Sequence, residues 1–204
     1  KLLPEVCVAF KCMQEAARQD GIDLQIVSSY RNFERQLQIW QNKWSGKTVL
    51  LDPNEKPLDI HTLSSSEKIN AILTWSALPG ASRHHWGTDL DVYDKQSVEQ
   101  AGGTFQLICS EYDDGPCKKL NLWLARHASH FGFVRPYAKY TGGIAREPWH
   151  LSYESSANEL LSQMNQQSLL DSLKKTDIQG LDCIIENMPN IYQRFVLNKG
   201  ILIK

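Results

Sequence analysis

Apolar groups at Val6, Phe10, Met13 and Ala17 recur at three- and four-residue spacing between Pro4 and Asp20, and Gly21 follows, which predicts an opening amphipathic helix stopped by glycine. Ile22, Leu24 and Ile26 then alternate with Asp23 and Gln25, the two-residue period of a strand that delivers Ser28-Ser29-Tyr30-Arg31 to its end. From Asn32, a suitable N-cap, Phe33, Leu37, Trp40 and Trp44 line one face of a second helix. Gly46 to Leu63 mixes Gly, Pro, Asp and Lys and reads as a surface excursion. Ser64 with Glu67 makes a capping box ahead of Ile69, Ile72 and Leu73, so a third helix is expected there. The turn-rich stretch Gly80 to Gly87 feeds the alternating Thr88-Asp89-Leu90-Asp91-Val92-Tyr93, a strand whose two carboxylates share a face. A helix is expected from Lys118 to His130 before Gly132, with short strands at Phe133-Val134 and Trp149 to Tyr153. Beyond Ser155 the pattern is helical again, through Leu160, Leu161, Met164, Leu169, Leu170 and Leu173, and finally Ile184, Ile185, Ile191, Phe195 and Leu197.

No internal repeat is present, and the pattern is α+β, with a C-terminal helical appendix after the last strand. A length of 204 residues against the usual ~150 per domain fits one sizeable domain plus that appendix, or a single well-filled domain. With 42% hydrophobic and 22% charged residues a packed core is within reach. Twenty-two basic against 23 acidic side chains leave a formal charge of -1, which removes the electrostatic footprint of a nucleic-acid or anionic-membrane binder. No run approaches the ~18 apolar residues of a spanning helix, so no transmembrane segment is expected. The opening KLLPEV has no long apolar leader, and because it begins on Lys rather than Met, a leader removed earlier is one expectation. Cys7, Cys12, Cys109, Cys117 and Cys183 include no Cys-x-x-Cys pair. A disulfide between Cys109 and Cys117 and five free thiols both stand as readings.

Two segments concentrate metal-binding side chains: Ser82-Arg83-His84-His85-Trp86-Gly87-Thr88-Asp89-Leu90-Asp91 and Glu147-Pro148-Trp149-His150. A catalytic zinc site takes three protein ligands and leaves its fourth position to water, and His84, Asp91 and His150 would supply that set. Gly87 lets the chain turn sharply between the first two. His85 is a rival to His84, and Asp89 to Asp91. A metal-bound water still has to lose a proton, and Glu147 is the natural acceptor. Residues i and i+3 of an ideal strand point to opposite faces, so Glu147 and His150 reach one place only if Pro148 turns the chain between them. Arg31, at a strand end, is placed either to grip a substrate carboxylate or an oxyanion, or to sit as an ordinary solvated arginine. Gly46-Lys47-Thr48 mimics the end of a phosphate-binding loop, but Gln41 stands where that loop needs glycine.

Taken together, Ser82-x-His84-x-x-Gly87-x-x-x-Asp91, Glu147-Pro148-Trp149-His150 and Ser28-Ser29-Tyr30-Arg31 resemble the zinc D-alanyl-D-alanine carboxypeptidases of the VanY and VanX type. The resemblance runs from Ile22 to Tyr153. It implies a small central antiparallel sheet flanked by helices, a fold shared with the hedgehog signalling domain and lysostaphin-like peptidases. The catalytic domain is expected at residues 1–155, and the helical extension at 156–204, which has no counterpart in the resemblance, is expected to pack on or beside it. The resemblance also implies Zn2+ held by His84, Asp91 and His150, with Glu147 as base and Arg31 assisting substrate and transition state. Ser82 and Gln36 match positions near the substrate. Two positions depart from the pattern, since the family usually has a small residue such as Ala at Asp89 and often Gly at Ser29.

The expected activity is removal of the terminal D-amino acid from peptidoglycan stem peptides. The alternatives are an L,D-carboxypeptidase, a cell-wall endopeptidase or, from a different class, a zinc-stabilised binding module. The expected partner is a peptidoglycan-derived peptide, with no nucleic acid. The chain is expected to be a monomer in the periplasm or cell envelope, with the cytoplasm as the alternative.

Overall fold

Pro4, which fits the first helical turn because its missing N–H has no intrahelical partner there, opens the first helix of a computed structural model that describes residues 1–200. The elements run α1 (Pro4–Gln19), β1 (Leu24–Ser28), α2 (Phe33–Trp44), β2 (Leu50–Leu51), β3 (Pro57–Leu58), α3 (Ser65–Trp75), β4 (Asp89–Asp94), α4 (Lys95–Gln100), α5 (Cys109–Asp113), α6 (Lys118–His127), β5 (Phe133–Val134), β6 (His150–Tyr153), α7 (Glu154–Gln163), α8 (Gln166–Leu173) and α9 (Leu181–Ile191). Short 3-10 turns lie at Ile60–Thr62, Arg83–Trp86 and Ala128–Phe131. The chain divides into two compact units. One comprises Lys1–Tyr30, Trp86–Ala138 and Glu147–Leu160, and the other Arg31–His85, Lys139–Arg146 and residues from Leu161 onward.

The first unit is built on a four-stranded sheet of order β1-β4-β6-β5 in which every pair is antiparallel, as the α+β reading requires. The four apolar positions expected on α1 are all buried. The first strand differs from expectation. It begins at Leu24 rather than Ile22, and Ile26 is 36% exposed, because β1 is an edge strand with a bulge between Ile26 and Ser28 that breaks the simple alternation. The helix expected over Lys118–His130 is α-helical only to His127, then tightens into the 3-10 turn that Gly132 closes with φ +77°.

In the second unit α2 lies beside α3, and α3 beside the β2–β3 hairpin and α9. Asn32 caps α2 by accepting from the Arg35 N–H, and the Ser64/Glu67 capping box is complete. Trp40 is fully buried and donates its Nε1–H to the Gln179 carbonyl at 3.0 Å. Next to it Gly180, at φ +80°, starts α9 where a Cβ would stand 2.4 Å from the Trp44 ring, so only glycine fits. Leu37 is only partly buried, and the side chain that replaces it on the inward face of α2 is polar: Gln36 is 0% exposed. No disulfide links any of the five cysteines, so the Cys109–Cys117 bridge is not formed.

Gly87 introduces β4 at φ +71°, and its carbonyl accepts from the Leu3 N–H at 3.0 Å. A Cβ there would meet only ordinary contacts, the nearest at 3.4 Å, so the cost of a side chain is conformational. Replacing Gly87 with Ala is expected to lower unfolding free energy by about 1–2 kcal/mol, and replacing it with Asn by less, since Asn tolerates this backbone region. Denaturant titration of both variants beside the parent measures the difference.

Candidate active site

In an antiparallel ladder, directly opposed residues project to the same face, and so do residues two apart on either strand. Asp91 on β4 is opposite His150 on β6, and Asp89 is opposite Ser152, so the β4–β6 register puts all four on one side of the sheet. Leu90 and Leu151, the pair between them, are buried with the other face in the core. Each member of the polar set is itself buried. Asp91 Oδ1 stands 3.1 Å from His150 Nδ1, and Asp89 Oδ1 stands 2.9 Å from His150 Nε2. Asp89 Oδ2 accepts from the Thr88 and Ser152 hydroxyls.

Burial works against a charged His150 ring, but its hydrogen bonds to Asp89 and Asp91 outweigh that penalty and hold its pKa up, at about 10 against an ordinary 6.5. Without a metal the ring is an imidazolium donating from both nitrogens.

Glu147 arrives over this cluster by a turn. The His150 N–H donates to the Glu147 carbonyl at 3.2 Å around Pro148 and Trp149, the reversal that the strand geometry demands, and Glu147 Oε2 comes within 3.7 Å of His150 Nδ1. The Glu147 N–H is tied to the Tyr137 carbonyl at 2.9 Å, and Arg135 donates to the Pro148 carbonyl at 3.1 Å. The Tyr137 ring lies against His150, with centroids 4.8 Å apart. Neither Arg135 nor Tyr137 stands out in the sequence, because a bracing role in an irregular loop carries no periodic signal.

His84 lies in the 3-10 turn Arg83–Trp86 and is buried. Each of His84, Asp91 and His150 offers one ligand atom, and these atoms lie within 4.8 Å of one another. Two imidazole nitrogens and a carboxylate oxygen form a donor set for a divalent metal. The 3.1 Å between His150 Nδ1 and Asp91 Oδ1 is close to the roughly 3.4 Å kept by two ligands about 2.1 Å from a tetrahedral ion.

His85 has a different task. Its Nε2 accepts from the Gly80 N–H at 3.0 Å and its Nδ1 meets the Arg31 carbonyl at 2.6 Å, so Nδ1 carries the proton and both nitrogens are committed to backbone. Burial pushes the His85 pKa down, which keeps the ring in this neutral state. The Arg31 N–H in turn donates to the His84 carbonyl at 3.1 Å. Arg31 Nη1 donates to Gln36 Oε1 at 2.7 Å, while Gln36 Nε2 donates to Ser76 Oγ at 3.0 Å and to the Ala77 carbonyl at 2.7 Å. Gln36 thus aims the guanidinium from a buried anchor. Ser82 is buried at the start of the same turn, its carbonyl accepting from the His85 N–H.

A family model described as VanY, D-alanyl-D-alanine carboxypeptidase, matches residues 1–156. An uncharacterized protein of Haemophilus influenzae is 32% identical over 127 residues, which is 61% of this chain and 96% of that protein. The chain spans only about half the length of the other curated relatives it matches, 48%, 53% and 43%. Among solved structures, the vancomycin-resistance D,D-pentapeptidase VanY in complex with Zn(II) superposes at a TM-score of 0.53, with 24% identity over 83% of each chain. The LdcB LD-carboxypeptidase superposes at 0.55, with 26% identity over 78% of this chain and 63% of that one. The donor cluster, the sheet that carries most of it and the match over residues 1–156 come to one conclusion: the chain belongs to the VanY D-alanyl-D-alanine carboxypeptidase family.

Proposed function

We propose that this chain is a zinc-dependent carboxypeptidase that removes the terminal D-alanine from peptidoglycan stem peptides, with His84, Asp91 and His150 as metal ligands, Glu147 as acid–base residue and Arg31 as the group that meets the substrate carboxylate. One observation carries the reading: three donors suited to zinc converge within 4.8 Å, and a glutamate reaches 3.7 Å from one of them by a dedicated turn. The related VanY structure that contains Zn(II) lends it support.

Bound zinc would supply Lewis-acid polarisation of a carbonyl and a water acidified to a pKa of about 7. The Glu147 carboxylate takes a proton from the attacking water and returns it to the leaving amine, so one residue serves both halves of the proton transfer. Arg31, held by Gln36 on one side and by His84 and His85 on its backbone, offers a fixed guanidinium for bidentate capture of a terminal carboxylate. Gln36 acts through Arg31, since it is wholly buried and both its Nε2 donors are engaged. Ser82 lies beside the substrate on this reading. Residues 1–155 carry the chemistry, and among the described residues those from 156 onward add helices to it. Such a substrate places the protein in the periplasm or cell envelope, and no helix among the described residues is long and apolar enough to cross a membrane.

A second reading, cleavage of an L,D rather than a D,D bond, draws on the 26% identity to the LdcB LD-carboxypeptidase. Zinc-loaded protein incubated with a muropeptide pentapeptide and with the corresponding tetrapeptide separates the two. Mass spectrometry is expected to show loss of one alanine from the pentapeptide and none from its C-terminal amide. Loss from the tetrapeptide alone favours the second reading, cleavage of the amide an endopeptidase, and no cleavage of any substrate overturns the peptidase assignment. Replacing Glu147 with Gln is expected to leave zinc content unchanged and to lower kcat by about 10²–10⁴-fold. Undiminished function in that variant would point to a binding module instead.

The raised His150 pKa also sets a pH dependence for the metal-free chain. A folded value above the unfolded one stabilises the fold fully below about 6.5, and this contribution is lost as pH rises through about 10. Chelator-stripped protein should therefore show a Tm that falls across that window, and the same scan on His150→Asn should lack this component.

A further inference from the structure

Asp89 is 0% exposed, and a carboxylate taken fully out of water is costly unless strong donors replace its hydration. Its contacts account for that burial. Oδ1 is spent on His150 Nε2, while Oδ2 receives the hydroxyls of Thr88 and Ser152, the residue opposite Asp89 in the ladder. The hydroxyls fix the carboxylate, and the carboxylate fixes the ring. With Nε2–H held by Asp89, the nitrogen left facing Asp91 Oδ1 at 3.1 Å and Glu147 Oε2 at 3.7 Å is Nδ1.

We propose that Asp89 is a positioning residue for the metal: by holding His150 through Nε2–H it commits Nδ1 to ligation and tightens the grip of the site on a divalent cation. The inference rests on the zinc reading above and adds a residue to it. Asp89 touches neither substrate nor reacting atoms, and acts through the orientation and basicity of His150. Carboxylates that hold a ligating imidazole in this way are worth about 10–100-fold in metal affinity.

The test uses the whole chain, its Asp89→Ala and Asp89→Asn variants, and His84→Ala as the control that removes a ligand but leaves Asp89 in place. Zinc affinity is measured by competition with a chromogenic chelator, and the protonated nitrogen of His150 is identified by long-range 15N–1H correlation of histidine-labelled protein. The expected result is zinc on Nδ1 with the proton on Nε2 in the parent, a 10–100-fold weaker affinity in Asp89→Ala, and a smaller loss in Asp89→Asn, whose amide oxygen still accepts from Nε2–H. Parent affinity in Asp89→Ala, or zinc on Nε2 of the parent, overturns the inference while leaving the zinc site standing. If Asp89→Ala does not fold, a weaker zinc affinity in Asp89→Asn supports the inference, and parent affinity with an unaltered His150 signature there overturns it. A parent that binds no zinc, or His84→Ala binding as tightly as the parent, overturns the zinc reading itself.

Discussion

The antiparallel register of β4 with β6 is the constraint on which the rest of the site depends. Because side chains alternate with a period of two, pairing Asp91 with His150 sends both to the same face, together with Asp89 and Ser152, and sends Leu90 and Leu151 to the other. A slip of β6 by one residue would turn His150 and Ser152 to the face of Leu90 and Leu151 to the face of Asp89 and Asp91, parting the imidazole from its carboxylates and leaving buried charge unpaired. Gly87 at one end of β4 and the Pro148 turn at the start of β6 are the local devices that enter this register, and each also delivers chemistry. The first follows the turn that holds His84, and the second brings back Glu147.

Arg31 depends on a different set of bonds. Its backbone is gripped by consecutive residues, the His84 carbonyl and the His85 ring, and its guanidinium by Gln36. A residue suited to recognise substrate charge is thus tied to the turn that carries a residue suited to ligate metal. A shift of that turn would disturb both together. His85 looks like a spare ligand in the sequence and is instead the latch that holds residues 31 and 80 to each other.

The legible parts of the molecule are those with local signals. Donor types suited to zinc occur in two short segments, and the strand period alone puts Asp89 and Asp91 on one face. The 3.6-residue period locates α1, and Ser64 with Glu67 locates the start of α3. What escapes has physical reasons. Gln36 is named by the resemblance as a position near the substrate, but its full burial and its hold on Arg31 are not legible, because they depend on hydrogen bonds made far along the chain at Ser76 and Ala77. The helices α4 and α5 are too short, at 6 and 5 residues, for periodicity to register. The exposure of Ile26 follows from a bulge and an edge position, which are properties of strand pairing and not of the strand itself.

Charge explains why such a cluster is tolerable at all. Asp89, Asp91 and Glu147 surround one ring, so three carboxylates share the imidazolium of His150. Part of the strain is relieved by hydrogen bonds, with Thr88 and Ser152 serving Asp89. The rest favours further positive charge. A divalent cation that takes the place of the Nδ1 proton adds one more positive unit while the Nε2–H stays with Asp89, but it must displace a proton that the same carboxylates hold, so metal affinity should rise with pH. A small side chain at position 89 would lessen both the repulsion in the metal-free chain and the gain on binding.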